Sequence, residues 1–490
     1  MLESLGILAL VLALFFLAFL LIRTVLFGKV PPPIPETELP AVDGEIVAEH
    51  LAAVLRHRTI SEAEEKPVDA QAFLNLHREL ERLYPRVHAT LRVEVVNRLS
   101  LLYIWKGKDE TLDPVLFAGH LDVVPVDPET RDAWKFPPFD GHIEEGAVWG
   151  RGALDTKNSV VAVLEAVETL LKQGYQPVRT ILLAFGHDEE IGGFQGAAQI
   201  AGRIQAYNTR LAAVLDEGGA ILSGGVVPGV RFPVALIGTA EKGYATLQLT
   251  VESSGGHSSM PPRHTGIGVL ACAITRLENA PFPARLYLVR RMFEFLAPFL
   301  PFGLRLAFAN LWLFRPLISR ALGANPRTNA LIRTTTAVTM VRGGVKDNVL
   351  PARTTAEVNF RLMPGDRVAD VVAFARRVIA DDAVQINLPQ GRAWEASRVS
   401  PTDSAAFQGI LQALGQVYPE AISAPYLVAG ATDARHYQPI CEQIYRLSPM
   451  MITAEELKTI HSVNEHISIE TLARMVQFYI QLIKIWGENG

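Results

Sequence analysis

Residues 179–193 read RTILLAFGHDEEIGG. The apolar run from Arg179 to Phe185 predicts a buried strand, and His187-Asp188-Glu189-Glu190 follows it at once. Adjacent carboxylates repel one another unless cations or protons compensate, and an apolar strand just before them makes a solvated surface run less natural. A metal ion would resolve the conflict. One glutamate could bind it while its neighbour takes a proton from water as general base. Outward from this stretch, Pro114 to Ala118 predicts a strand just before His120, and Lys157 to Lys172 a helix ending before Gly174. Phe194 to Gln205 predicts a second helix, and Leu211 to Leu215 a strand ending at Asp216. From Ala41 to about Gly238 short apolar runs thus alternate with amphipathic windows. This is the pattern of an α/β layer fold, a mixed sheet with helices on both faces. His120, Glu189-Glu190 and Asp216 fall at or beyond strand ends, where open α/β sheets place their crevice.

The chain has 490 residues, 49% of them hydrophobic, with 37 glycines, which fits ordered protein with one large core or several smaller ones. A formal charge of −5 and the lack of a basic run interleaved with aromatics argue against a nucleic-acid partner. Cys272 and Cys441 lie far apart among apolar neighbours, so two buried structural thiols are expected. Leu5 to Ile22 carries no charge and is long enough as a helix to approach a bilayer's hydrocarbon thickness. We expect a single-pass membrane anchor over 1–30, with a cleaved signal peptide as the competing reading. A proline-rich spacer, Pro31-Pro32-Pro33-Ile34-Pro35, opens a linker over 31–40. Arg23 and Lys29 are too few to fix the side of the membrane.

Beyond Thr239 the texture changes. Ala245 to Glu252, Thr334 to Val341 and Thr354 to Leu362 predict strands, and Arg367 to Ala380 a helix. An inserted α+β domain is expected over 241–390, dividing a catalytic domain into 41–240 and 391–490. Within the insert, 281–322 is rich in Phe, Leu and Trp with scattered Arg. It reads either as a buried helical pair or subunit contact, or as a membrane-facing or acyl-chain-binding lid.

His120-Leu121-Asp122 sets two side chains on one face of an extended segment, so Asp122 can orient the imidazole. Asp155 follows Gly150-Arg151-Gly152-Ala153-Leu154 at the start of a helix, where a helix cap is the plain alternative. Asp216-Glu217-Gly218-Gly219 repeats the strand-end carboxylate theme, and His461-Ser462-Val463-Asn464-Glu465 must return from the far end of the chain to join it. Taken in order, these motifs resemble the dizinc aminoacylase and carnosinase exopeptidase superfamily. Thr334-Thr335-Thr336-Ala337, Gly343 to Pro351 and Gly430-Ala431-Thr432-Asp433-Ala434-Arg435 are similar to its carboxypeptidase S and N-fatty-acyl amino acid synthase/hydrolase branch.

The resemblance implies two Zn²⁺ ions, one on His120 and Asp216, the other on Glu190 and His461, with Asp155 bridging. It implies Glu189 as base, with Asp122 and His257 assisting, and Asn348, Arg361 and Arg435 holding the substrate's polar end; guanidinium suits a carboxylate because two parallel donors meet two oxygens. Expected substrates are N-acyl amino acids, with short peptides as the runner-up and a metal-stabilised binding protein as the reading from another class. The insert is implied to act as a lid and as the contact of a homodimer.

Overall fold

The computed structural model describes residues 2–28, 34–35, 37–63, 66–227 and 229–488; the expected Pro31-Pro32-Pro33 spacer lies outside the described residues. Strands Val115–His120, Ile181–Gly186 and Ala213–Asp216 run parallel, with His120 opposite Gly186 and Phe117 opposite both Leu183 and Leu215. Ile444–Arg446 extends this group in parallel, placing Arg446 beside Asp216. Antiparallel strands Arg92–Val96 and Ser100–Trp105 complete one edge, and Val234–Glu241 with Ile422–Val428 continues the other, giving a ten-stranded mixed sheet.

Side-chain alternation along these strands feeds two cores. Val115, Phe117, Ile181, Leu183 and Phe185 pack against helices Gly44–Leu55, Lys157–Lys172 and Ile469–Glu488. Leu116, Leu182, Ala184 and Val214 pack against helix Ala197–Ala206. Helices therefore cover both faces, as the alternating pattern predicts. The common C-terminal edge of the parallel strands stays open for loops.

After Val234–Glu241 the chain passes directly into Gly243–Glu252, the centre of a second, five-stranded antiparallel sheet with Thr335–Arg342, Arg353–Leu362, Val384–Asn387 and Ala393–Trp394. Helices Gly266–Glu278 and Val368–Ile379 cover one face and share a separate core around Leu247, Leu249, Val358 and Phe360. Cys441 is buried as expected, but Cys272 is exposed, because it sits on the solvent side of helix Gly266–Glu278.

The aromatic segment folds into helices Tyr287–Leu296, Phe302–Ala309 and Leu311–Gly323. Its inner side forms a third core in which Met292, Phe293, Leu296 and Phe308 meet Val234, Leu236, Ile422 and Ala424 of the first sheet. Its outer side leaves Phe302, Trp312 and Leu317 exposed. The N-terminal helix Leu2–Leu26 has a 23-residue apolar stretch, Ser4–Leu26, long enough to cross a bilayer. Its last residues lean on the aromatic helices, and Phe27 enters their core.

Candidate metal centre

His120 is the last residue of its strand. Its Nδ1 lies 2.9 Å from the Asp122 carbonyl oxygen, fixing the N–H on that nitrogen. Its Nε2 faces Asp155 Oδ1 at 3.1 Å and Glu217 Oε1 at 3.3 Å. Asp155 Oδ2 lies 3.0 Å from Nε2 of His461, which is also 3.3 Å from Glu190 Oε1. One carboxylate thus stands between two imidazoles, and each imidazole has a second carboxylate beside it. Ligand atoms of His120, Asp155 and Glu190 lie within 4.8 Å of one another, as do those of His120, Glu189 and Glu217.

Three local devices hold this arrangement. Asp122 accepts the Glu189 N–H on Oδ1 at 3.1 Å and the Glu190 N–H on Oδ2 at 3.2 Å, tying the His120 strand end to the Glu-Glu turn. Gly192 and Gly193 close that turn at φ +114° and +67°. A Cβ on Gly193 would sit 1.9 Å from Asp433 Oδ1, so this position needs glycine for space as well as for backbone. Buried Glu465 accepts N–H groups from Gly152, Leu154 and Asp155 at 3.1, 2.8 and 3.2 Å, and Arg151 Nη1 at 2.6 Å, fixing the loop that presents Asp155. Asp155 is not a helix cap, since Thr156 holds that position and makes no side-chain capping bond.

The electrostatics report an excess of buried negative charge. Burial pushes the Glu189 carboxyl well above its ordinary range, with Glu217, Asp433 and Glu190 adding to it. Burial, with Asp155 nearby, brings Glu217 up to about 7. Hydrogen bonds to Asp155 and Glu190 hold the His461 imidazole up to about 10. Against the effect of burial, Glu217, Asp122 and Asp155 keep His120 well above its usual value. Such a set retains protons unless cations replace them, and its donors, imidazole nitrogens and carboxylate oxygens, suit divalent metals such as zinc.

Asp216, expected as a ligand, is the last residue of the strand Ala213–Asp216, and both its carboxylate oxygens are buried without a hydrogen-bond partner. The next residue, Glu217, lies past the strand end, before Gly218 turns at φ +110°, and its carboxylate enters the cluster. His257 and Asn348 are exposed on a short ribbon where His257 pairs with Val349, and neither lines the cavity of its own chain.

That cavity encloses about 790 Å³. Asp155, Glu189, Glu190, Glu217 and His461 form its floor, and Leu222, Leu236, Tyr426, Ile452, Leu457 and Ile460 an apolar wall. Arg361 and Arg435 line another side. Arg361 lies 4.9 Å from the Tyr244 ring centre, Tyr244 stacks on Trp394 at 4.5 Å, and Arg435 lies 4.3 Å from Trp394. Arg435 Nη2 also donates to the Gly192 carbonyl, linking the stack to the Glu-Glu turn.

Comparison with known proteins decides the family. Residues 116–485 match the model of Peptidase family M20/M25/M40. The chain belongs to peptidase family M20/M25/M40. As a member it is a metal-dependent hydrolase. It is 42% identical over 444 residues to a probable carboxypeptidase S-like 2 of Dictyostelium discoideum, covering 89% of this chain and 84% of that one. It is 41% identical over 453 residues to the N-fatty-acyl-amino acid synthase/hydrolase PM20D1 of Xenopus tropicalis, covering 91% and 87%. An M20 family metallo-carboxypeptidase from Sulfolobus solfataricus shares the fold, with a TM-score of 0.67 at 19% identity over 90% of this chain and 99% of that one. Sequence reasoning on this M20/M25/M40 chain missed Glu217, Glu465, Tyr244 and Trp394. The repeated Asp-Glu signal could have found Glu217; the other three depend on which distant segments meet.

Proposed function

We propose that this protein hydrolyses the amide bond of N-fatty-acyl amino acids, and forms it when the free acid and amino acid are concentrated. The observation that carries this reading is the two-sided cavity, in which a carboxylate and imidazole floor lies between a pair of arginines and a wall of aliphatic side chains. A substrate with a carboxylate at one end and a long acyl chain at the other matches that polarity. The name of the Xenopus relative supports the same substrate class.

Two Zn²⁺ ions would be held by His120, Glu217 and bridging Asp155 on one side, and by Asp155, Glu190 and His461 on the other. When bound, they supply acidification of a water and polarisation of the scissile carbonyl. Glu189 accepts the proton of the attacking water and delivers it to the leaving nitrogen. The C–N bond breaks as a C–O bond forms, giving a carboxylic acid and the free amine. Asp122 orients His120 and the Glu-Glu turn, and Arg435 with Arg361 anchors the substrate carboxylate. His257 and Asn348, distant from their own cavity, fit a role across a homodimer built on the inserted unit 241–390, with the 281–322 helices backing the acyl wall. Sedimentation of the intact protein tests the dimer.

We also infer that Leu2–Leu26 is a retained single-pass anchor. Its end is braced into the fold, Arg23 donating to the Ala309 carbonyl and Arg305 to the Val25 carbonyl, which a segment destined for removal would not require. Substrate assignment is tested by comparing oleoyl-phenylalanine with an N-blocked dipeptide. We expect kcat/KM at least about ten-fold higher for the former, the scale of a few buried methylenes. Preference for the dipeptide would favour the carboxypeptidase reading that the Dictyostelium relative's name suggests.

A further inference from the structure

The outer face of the aromatic helices remains without a role in the chemistry. Phe302, Trp312, Leu313 and Leu317 point outward, from 40 to 64% exposed, on two successive helices, a concentration of large apolar surface that a water-soluble face rarely shows. Residues 281–333 carry eight arginines and a single acidic residue, Glu294. Arg315 and Arg320 are exposed on the same helix as Trp312 and Leu317.

This face is continuous with the N-terminal helix. The Trp312 ring meets Phe16 at 6.1 Å and Phe19 at 6.4 Å, while Asn310 Nδ2 lies 3.4 Å from both the Leu20 carbonyl and Thr24 Oγ1. Arg23 and Arg305 cross-brace the two segments one to two turns further on. Along a helix rising 1.5 Å per residue, Phe16 lies about 10 Å from Arg23 on the side away from the catalytic sheet. If the arginines lie at headgroup level, Trp312 reaches about 10 Å below it, the depth at which interfacial amphipathic helices settle.

We propose that helices Phe302–Ala309 and Leu311–Gly323 form a collar around the exit of the membrane helix and dip into one leaflet of a bilayer with anionic headgroups. Phe302, Trp312, Leu313 and Leu317 enter the acyl region, and Arg305, Arg315 and Arg320 meet the phosphates. This rests on the anchor reading above and adds to it a second, peripheral contact. The collar also ties the cavity to the leaflet, because its core shares Leu222, Leu236 and Tyr426 with the apolar wall. A single-chain amphiphile leaving the bilayer would therefore start beside the wall that receives its tail.

The test uses the full chain carrying Cys272→Ser, reconstituted in phosphatidylcholine vesicles with or without phosphatidylserine and spin-labelled singly at Leu317→Cys, Phe302→Cys, Leu12→Cys or Val345→Cys. Collision with oxygen reports lipid, and collision with a water-soluble nickel chelate reports solvent. We expect the labels at 317 and 302 to show an oxygen-to-nickel ratio about ten-fold above that at Val345, which is 92% exposed on the second sheet's hairpin. Adding Arg315→Glu and Arg320→Glu should lower that ratio in phosphatidylserine vesicles. An unchanged ratio there would overturn the anionic-headgroup part of the proposal. Lipid exposure at 12 with water exposure at 317 and 302 would overturn the collar and leave the anchor standing. Water exposure at all three would overturn both. Shielding of 317 and 302 from both agents would mean that a second copy covers the face, which also overturns the collar.

Discussion

The strand ends at 181–190 and 213–217 carry the same signal, an apolar run closing on two adjacent carboxylates, yet the fold resolves it differently. In the first, Gly186 ends the strand and two residues carry the chain beyond the sheet, so Glu189 and Glu190 both reach the cavity from a short 3₁₀ turn. In the second, Asp216 is still paired within the sheet beside Arg446, and only Glu217 gets there. At these two ends the carboxylates that line the cavity lie past the last ladder residue, whereas His120 reaches the cluster from the last ladder position of its own strand. Within the first pair, Asp122 fixes both backbones and leaves two side chains for separate tasks.

The largest expected effect lies in that first pair. Glu189→Gln should lower turnover by about 10²- to 10⁴-fold, the usual worth of a general base, while metal content stays at the wild-type level. Undiminished turnover would refute the role. In the second pair, Glu217→Gln should lose one equivalent of metal by elemental analysis, with activity falling by about 10²-fold as one shell opens. Asp216→Asn should retain both equivalents. Exchange of those two outcomes would make Asp216 the ligand, as the resemblance implies.

Asp216 was read as a ligand from the family resemblance, and the strand predicted from Leu211 to end at Asp216 does end there but starts two residues later, at Ala213. Strand boundaries are the least legible feature of a sequence, since the ladder ends where a partner ends. His120, Asp155, Glu190 and His461 each sit in a motif that has a plain alternative when read alone, and the resemblance implies them as ligands only as an ordered set. Their convergence across more than 300 residues was legible only through the ordered family resemblance. The Arg361, Tyr244, Trp394 and Arg435 stack was not, because it joins the second sheet to the loop after Ile422–Val428 and no local pattern encodes that contact. His257 and Asn348 were read from resemblance alone, and within one chain they stay outside the cavity.

A smaller effect should come from the loop that presents Asp155. Glu465→Gln keeps the shape but weakens the acceptor of three backbone N–H groups and the Arg151 ion pair, so metal affinity should fall by about 10- to 100-fold, read by competition with a chelator. The smallest is a pH effect. In the metal-free protein Glu217, brought up to about 7, is partly protonated at neutral pH and His461, held up to about 10, is protonated, and both must give up protons to bind a cation. Metal affinity should therefore rise with pH from 6 to 8, with net proton release seen by calorimetry in buffers of different ionisation enthalpy. Proton uptake would contradict the assigned shells.

The account depends most on Asp155 standing between two ions. Anomalous diffraction at the zinc edge from crystals of the metal-loaded protein tests it directly. We expect two peaks about 3.5 to 4 Å apart, the spacing of two-metal sites, flanking the Asp155 carboxylate, one beside His120 and Glu217 and the other beside Glu190 and His461. A single peak, or one coordinated by Asp216, would contradict it.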